Sequence, residues 1–164
     1  MLKKLLLLVV TGFFLASCAA TNTNQGGDVD AASSSTSSGS DSSITAGTQE
    51  DLIVNVGDRV FFEFDSSELT VDAQATLDAQ AAWLMQYPDT NITIEGHADE
   101  RGTREYNLAL GDKRAFAVYS YLAQAGIDTN RMEYISWGKE RPEVVGSDET
   151  AYSQNRRGVT TVTN

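Results

Sequence analysis

The sequence of 164 residues has few of the side chains on which enzymes and metal sites are built. It contains one cysteine, Cys18, one histidine, His97, and two prolines. A zinc site normally takes three or four His, Cys or carboxylate ligands, and the sequence offers His97 no second histidine. A Ser-His-Asp triad would also need His97, but no Gly-x-Ser-x-Gly pattern accompanies it. We therefore expect no catalysis, no metal and no cofactor.

Basic residues are scarce as well. The chain has 12 Lys and Arg against 23 Asp and Glu, a net charge of −11 at pH 7. If Lys3 and Lys4 are removed with an N-terminal leader, ten basic residues remain against those 23 acidic ones. Because nucleic-acid binding depends on neutralising phosphates, we expect no nucleic-acid partner.

The most apolar run is too short to cross a membrane. Leu5–Leu15 has about a dozen residues, whereas a membrane-spanning helix needs roughly 20. The run follows Lys3 and Lys4 and is typical of a secretory signal peptide. We predict that residues 1–17 are this signal peptide and are cleaved off.

The end of this segment resembles the lipobox of bacterial lipoproteins. In Leu15-Ala16-Ser17-Cys18, as in a lipobox, small residues precede a cysteine that receives a diacylglycerol and becomes the new N-terminus. The resemblance implies lipidation at Cys18 and, because Ala19 replaces the Asp frequent in inner-membrane lipoproteins, an outer-membrane anchor with the domain facing the periplasm. The alternative is an ordinary signal peptide followed by an incidental cysteine.

The next segment is predicted to be a flexible tether over residues 18–52. Eight of the thirteen residues from Ala31 to Ser43 are serine. Such a composition cannot bury enough apolar surface to offset the entropy lost on ordering. The folded domain is predicted over residues 53–164.

The domain shows an alternation of strands and helices. Thr70 is a candidate N-cap of one helix, which Pro88 ends, and Gly126 is placed to end a second helix, Arg104–Ala125. Strands are predicted at Val60–Phe64, Asn91–Glu95, Met132–Ser136 and Gly158–Val162. The predicted core faces of the helices carry Ala73, Leu77, Ala81 and Leu84, and Leu108, Ala115, Val118 and Leu122. This order, βαβαβ, a loop and a last strand, predicts an α+β fold, a two-layer sandwich of helices on one mixed sheet.

The densest polar cluster is Glu95–Thr103, which follows a predicted strand and opens the second helix. Loops between rigid elements are common binding sites. The alternative is a solvated turn that only caps the helix. The residue pattern alone leaves both interpretations open.

This cluster resembles the signature of the OmpA-like C-terminal domain family, in the form carried by peptidoglycan-associated lipoproteins. The shared motifs are Gly96-His97-Ala98-Asp99-Glu100-Arg101-Gly102, Tyr106-Asn107, Leu110-Gly111, Arg114-Ala115, Val118, Leu122, Phe64-Asp65, Trp137–Pro142 and Asn155-Arg156-Arg157. The resemblance covers about residues 60–162. Arg104 stands where a proline is common in the family.

The resemblance implies noncovalent binding of peptidoglycan through the meso-diaminopimelate side chain of its stem peptide. That side chain ends in an ammonium and a carboxylate on one carbon. By resemblance, Asp99 takes the ammonium and Arg114 the carboxylate, a role that suits the planar guanidinium fork. The family's OmpA-like βαβαβ-β sandwich is the fold that this implies.

The resemblance also suggests supporting residues. Asn107 is expected to bond the ligand or its backbone, Phe64 and Asp65 to wall the pocket, and backbone groups near His97, Ala98 and Gly102 to bond the peptide. Core packing is an equal alternative for Phe64. For His97 we expect a hydrogen-bonded loop histidine, although its ordinary pKa would permit a response to pH. Leu110 is expected in the core, and Arg156 and Arg157 are expected to pair with carboxylates.

Family membership would further imply the Tol-Pal system, with a TolB-like periplasmic protein as partner and a role in envelope integrity and cell division. Two other functions stay open. One is a lipid-anchored protein-interaction module without wall binding; the other, less favoured because a nucleophile and metal ligands are missing, is a wall hydrolase.

Overall fold

The computed structural model describes residues 44–163. The helices are α1 (Gln49–Asn55), α2 (Val71–Gln86), α3 (Arg104–Gln124) and α4 (Glu149–Asn155), and the strands are β1 (Arg59–Phe61), β2 (Ile92–His97), β3 (Met132–Gly138) and β4 (Arg157–Val162). The predicted signal peptide, Cys18 and most of the predicted tether lie outside the described residues. Within 44–163, no helix is both long enough and apolar enough to span a bilayer.

The four strands form one mixed sheet in the order β1-β4-β2-β3. Strands β2 and β3 are parallel, because α3 returns the chain to the same end of the sheet, and the other two pairs are antiparallel. The core lies where α2 and α3 pack on this sheet. The predicted α+β sandwich of helices on a mixed sheet is confirmed.

The two long helices begin and end where their local signals predict. The hydroxyl of Thr70 accepts a hydrogen bond of 3.2 Å from the amide of Ala73 at the start of α2, and Thr103 caps α3 in the same way. Gly126 follows α3 with a φ of +100°, the left-handed conformation that favours glycine at this position. Seven of the eight predicted core residues of the two helices are buried.

The exception is Leu108, which is exposed, so its predicted place in the core is wrong. It stands on the same face of α3 as Ala115, but it lies over the edge strand β3, in an open surface groove with Tyr134, Ile135 and Ser136, so nothing in the described part of the chain covers it fully.

Two short helices were not predicted. Helix α1 falls at the end of the predicted tether, where Thr48 caps it and Leu52 is completely buried in the core. The predicted domain boundary at residue 53 is therefore too late. Helix α4, capped by Asp148, occupies the connection predicted as a loop between β3 and β4.

Helix α3 packs backbone to backbone on β2 at two glycines. A Cβ on Gly96 would overlap the carbonyl group of Gly111. A Cβ on Gly111 would overlap the hydroxyl of Ser136 and lie 2.8 Å from the carbonyl oxygen of Gly96. Only glycine fits at these positions without a shift of the backbone, so this pair sets the distance between α3 and the sheet.

Substituting either glycine of this pair by alanine should destabilise the fold. In a helix such as α3, alanine is ordinarily more stable than glycine by about 1 kcal/mol. Here, however, the overlap of the added Cβ with neighbouring atoms forces α3 away from β2. We expect Gly111→Ala to lower the free energy of unfolding by about 3 kcal/mol, and Gly96→Ala by at least as much, in urea denaturation.

The matched control is Ala109→Gly, at an exposed position of the same helix. It exchanges the same residue types in reverse and should cost about 1 kcal/mol through helix propensity alone. If Gly111→Ala were neutral or stabilising, the packing constraint at this contact would be refuted.

Candidate binding site

A cavity of about 170 Å³ opens beside the loop between β2 and α3. Its lining residues are Phe64, Asp65, Asp99, Arg101, Gly102, Tyr106, Asn107, Leu110 and Arg114. Six of the eight residues predicted for binding are therefore brought together here. Leu110, predicted to be core, also lines this cavity.

Arg114 forms the inner wall of the cavity and joins three segments of the chain. Its Nε donates to the carbonyl of Ser66 (2.8 Å), one terminal nitrogen to that of His97 (2.8 Å) and the other to that of Glu63 (3.1 Å). Its exposure is 0%, and this burial, followed by the charge of Arg156, lowers the pKa of Arg114 to about 10. The guanidinium remains charged at neutral pH.

Arg114 still has donors to offer. A guanidinium carries five N–H groups, and the three carbonyls take three of them. No other residue of the described part of the chain accepts a hydrogen bond from the rest. The side chain is thus fixed in position, and two of its N–H groups have no acceptor among the described residues.

Asp99 is the buried anion of the site, with 5% of its surface exposed. Its carboxylate accepts hydrogen bonds from Arg101 through the backbone amide (3.1 Å), Nε (3.2 Å) and a terminal nitrogen (2.5 Å). A terminal nitrogen of Arg156 lies 3.5 Å from it. Burial raises the pKa of Asp99, but the hydrogen bonds from Arg101 and Arg156 outweigh it and the net pKa lies below the ordinary value.

Arg101 is held between two aromatic rings. The centre of its guanidinium lies 4.1 Å from the ring centroid of Phe64 and 4.3 Å from that of Tyr152, distances at which a cation is attracted by the ring face. Glu149 lies 3.6 Å away on α4.

The predicted alternative of Phe64 as core is wrong, because the side chain is 60% exposed and lines the cavity.

The loop that carries Asp99 and Arg101 is held by two side chains in alternation. Lys139 donates from Nζ to the carbonyls of residues 100 (3.1 Å) and 102 (2.7 Å). Asn107 donates from its amide to the carbonyls of residues 101 (2.7 Å) and 103 (3.1 Å). Four consecutive carbonyls are thus satisfied. Since both amide N–H groups of Asn107 are used on the loop, it offers a ligand only its carbonyl oxygen.

The other side of the cavity carries a second acid. Asp65 accepts a short hydrogen bond from the hydroxyl of Tyr106 on α3. Its φ is +52°, a left-handed conformation uncommon outside glycine, in the turn that follows β1. This turn also brings Phe64 to the cavity.

Two predicted residues do not line the cavity. The amide of Ala98 donates to the carbonyl of Gly138 (2.8 Å), and the carbonyl of His97 accepts from Arg114. Since these backbone groups are bonded within the protein, His97 and Ala98 act on the site indirectly. Gly102 does line the cavity, but Lys139 already occupies its carbonyl.

His97 is not the hydrogen-bonded loop histidine that we expected. It is the last residue of β2, is only 2% exposed, and neither ring nitrogen has a hydrogen bond of normal geometry to a described residue. Nε2 lies 3.4 Å from a carboxylate oxygen of Glu95. Burial, followed by the charge of Arg157, lowers the pKa of His97 to about 4, although the backbone of Arg141 and the charge of Glu143 act in the opposite direction.

Residues 61–156 match the sequence pattern of the OmpA family, which is more than half of the chain. The chain belongs to the OmpA family. Two curated relatives are named peptidoglycan-associated lipoprotein. The one from Rhizobium meliloti (strain 1021) is 61% identical over 116 residues, 71% of this chain and 66% of the relative. The one from Brucella melitensis biotype 1 is 60% identical over 116 residues, 71% of this chain and 69% of the relative.

Solved structures agree with this membership. The crystal structure of the peptidoglycan-associated lipoprotein from Burkholderia pseudomallei is 44% identical and covers 65% of this chain and 90% of its own, with a TM-score of 0.63. The C-terminal domain of Helicobacter pylori MotB, at 21% identity, covers 65% of this chain and 84% of its own with a TM-score of 0.60, and shares the fold. The resemblance to peptidoglycan-associated lipoproteins is confirmed. This chain spans about two thirds of the curated relatives' length, and none of their names denotes an enzyme.

Four residues of this OmpA-family domain belong to the site although they were not predicted for it. Arg101 and Arg156 pair with Asp99, Lys139 holds the loop, and Tyr106 lines the cavity and donates to Asp65. All four stand in the motifs that carry the family resemblance. The motifs thus contained the signal, but only the fold shows which atoms these side chains contact. Within residues 44–163, no group of three or more His, Cys, Asp or Glu side chains is arranged to hold a metal.

The buried neutral His97 should make the stability of the domain depend on pH. Its pKa of about 4 in the folded protein lies below the value of about 6.5 in an unfolded chain. The free energy of unfolding should therefore be highest above pH 6.5 and should decrease as the pH falls from 6.5 toward 4. The loss should reach about 3 kcal/mol at most, measured by urea denaturation at several pH values.

His97→Gln should remove this slope between pH 6.5 and 5. Since His97 is the only histidine in the sequence, no other side chain of ordinary pKa titrates in that window. An unchanged slope in the variant would show that His97 does not cause it.

Removing the Lys139 contacts should loosen the binding loop. Lys139→Met deletes the two hydrogen bonds to residues 100 and 102, and we expect faster amide hydrogen exchange at 100–103 with a loss of about 1 kcal/mol in stability. Lys113→Met, at an exposed position on α3, removes the same charge without touching the loop and should leave exchange there unchanged. Equal exchange in both variants would contradict the role assigned to Lys139.

Proposed function

We propose that the protein is an outer-membrane lipoprotein that binds peptidoglycan noncovalently through the meso-diaminopimelate side chain of the stem peptide. Lipid on Cys18 would hold one end of the chain, and residues 44–163 would grip the wall at the other. As part of a Tol-Pal system it would have a TolB-like periplasmic protein as partner and contribute to envelope integrity and cell division. The resemblance to peptidoglycan-associated lipoproteins supports both parts of the proposal.

One observation carries the binding proposal: a buried carboxylate and a buried guanidinium, Asp99 and Arg114, line the same small cavity. The end of meso-diaminopimelate carries an ammonium and a carboxylate on one carbon, so its receptor needs one anion and one cation close together. Arg114 offers two donors to the carboxylate, and Asp99 offers the anion to the ammonium. A neutral or singly charged ligand would make use of only one of these two buried groups.

The rest of the cavity suits the same ligand. Phe64 and Leu110 present apolar surface to the methylene groups of the diaminopimelate side chain, and the loop that carries Asp99 is held by Asn107 and Lys139. Pre-organised charges lose less entropy on binding than mobile ones. Hydrogen bonds to the chain itself hold the polar side chains of the site in place, which suits the binding of a ligand.

Binding can be tested by co-sedimentation of the full-length protein, in detergent, with purified sacculi that contain meso-diaminopimelate. Asp99→Asn keeps the shape of the side chain but removes the charge, and a charge-assisted hydrogen bond contributes about 1.5–3 kcal/mol. We expect the affinity to fall roughly 10- to 100-fold. Asp112→Asn, at an exposed position of α3, is the matched control and should bind like the unaltered protein.

Arg114 needs a milder change, because it also joins three segments of the fold. Arg114→Lys keeps the charge but not the forked donors, and should weaken binding to sacculi while circular dichroism shows a folded domain. Sacculi that carry lysine in place of meso-diaminopimelate lack the second carboxylate and should bind weakly to every variant.

The test also separates the alternatives. If folded Asp99→Asn and Arg114→Lys sedimented like the unaltered protein, the proposed pocket would be wrong. Absence of sedimentation by the unaltered protein would favour the protein-interaction module. Soluble fragments released from the sacculi would favour a hydrolase.

A further inference from the structure

The anion that is proposed to receive the ligand's ammonium is already paired with a cation of the same chain. Arg101 makes three hydrogen bonds to the Asp99 carboxylate, two of them from its guanidinium. A carboxylate has about four lone-pair sites, and Arg156 approaches the remaining space at 3.5 Å. An ammonium cannot reach Asp99 with good geometry unless one of these contacts gives way.

Arg101 is the contact that can give way. Its side chain is 35% exposed, whereas that of Arg156 is 6% exposed and is also fixed by the carbonyl of Phe62 (3.0 Å) and by Glu149 (2.7 Å). Apart from Asp99, the Arg101 guanidinium contacts two aromatic ring faces and lies 3.6 Å from Glu149. None of these contacts requires the guanidinium to remain on Asp99.

A physical reason for this arrangement lies in the burial of Asp99. A carboxylate with 5% exposure destabilises a fold strongly when it has no partner. Arg101 supplies the partner from the same loop, so the fold does not depend on a ligand for its charge balance. A ligand cation then gains only the difference between its own interaction with Asp99 and that of Arg101.

We propose that Arg101 is an affinity-determining residue: its guanidinium holds the cation position on Asp99, and the ammonium of the ligand binds by exchange with it. Released from Asp99, the guanidinium stays between Phe64 and Tyr152 at the mouth of the cavity. This inference rests on the proposed function, and it makes Arg101 a competitor of the ligand rather than a contact that holds it.

Exchange predicts opposite effects of one substitution on stability and on affinity. Arg101→Met keeps apolar bulk between the two rings but removes the competing cation. We expect the melting temperature of the full-length protein to fall by several degrees, because Asp99 loses its main partner. We expect the affinity for the soluble peptide L-Ala-γ-D-Glu-meso-diaminopimelate to rise about two- to fivefold, the equivalent of a partly exposed ion pair.

Calorimetric titration of the full-length protein in detergent would measure this affinity. Arg101→Lys keeps a cation on the loop but not the forked pair of donors to Asp99, so its gain in affinity should be smaller than that of Arg101→Met. Arg104→Met removes an exposed arginine three residues away, whose ion partner is Glu140, and controls for the change in net charge. It should change neither affinity nor melting temperature appreciably.

The outcomes separate this inference from the function on which it rests. Weaker or unchanged binding by Arg101→Met, with Asp99→Asn still impaired, would overturn the exchange and leave the proposed site intact. If Asp99→Asn bound the peptide as well as the unaltered protein does, the proposed function itself would fail. Tighter binding together with a lower melting temperature is the result that a purely structural arginine would not produce.

Discussion

The backbone contact between Gly96 and Gly111 determines where the cavity residues lie. By seating α3 directly on β2, it brings Arg114, three residues after Gly111, to the carbonyl of His97 at the end of that strand. From there the guanidinium reaches the segment after β1 through two further carbonyls. The position of Arg114 is therefore a product of helix-on-sheet packing, whereas Asp99 and Asp65 reach the cavity from the connections that follow β2 and β1. A shift of α3 by the width of one methyl group would separate Arg114 from these partners.

Buried charges make the site part of the fold's stability. Asp99 and Arg114 are both removed from solvent, and each is satisfied mainly by groups of the chain itself: backbone carbonyls for Arg114, and arginine side chains for Asp99. Breaking one side of such an arrangement leaves an uncompensated charge. Binding variants at these positions therefore have to be judged against their stability, and isosteric changes are more informative than truncations.

The elements that could be predicted from the sequence are those whose signals are local. Helix α2 has its cap at Thr70 and four apolar residues at helical spacing, so its bounds follow closely from the pattern. The seven residues of α1 have too few turns for a periodicity, and Leu52 is buried only through tertiary contacts. The resemblance predicts that backbone groups near His97 and Ala98 bond the ligand. A motif does not show which backbone groups the fold already uses, however: the carbonyl of His97 accepts from Arg114, and the amide of Ala98 donates to Gly138. The role of Arg101 is equally invisible in the sequence, because its ring partners Phe64 and Tyr152 come from distant segments and no spacing rule connects them.

Stability and affinity need not favour the same residue at a binding site. An arginine that neutralises Asp99 secures the fold in the absence of ligand, and under the proposed exchange it weakens each binding event by the same interaction. A lipid anchor on a tether would make that weakening tolerable, since it would confine the domain to the space between membrane and wall and so raise the effective concentration of the ligand. Modest affinity at each site would then suffice for attachment, and individual contacts with the wall would remain free to exchange. The burial of Asp99 and the pairing of Asp99 with Arg101 thus have a common explanation. The fold supplies its own counter-ion, and under the proposed exchange the ammonium of the ligand binds only as strongly as it outcompetes the guanidinium of Arg101.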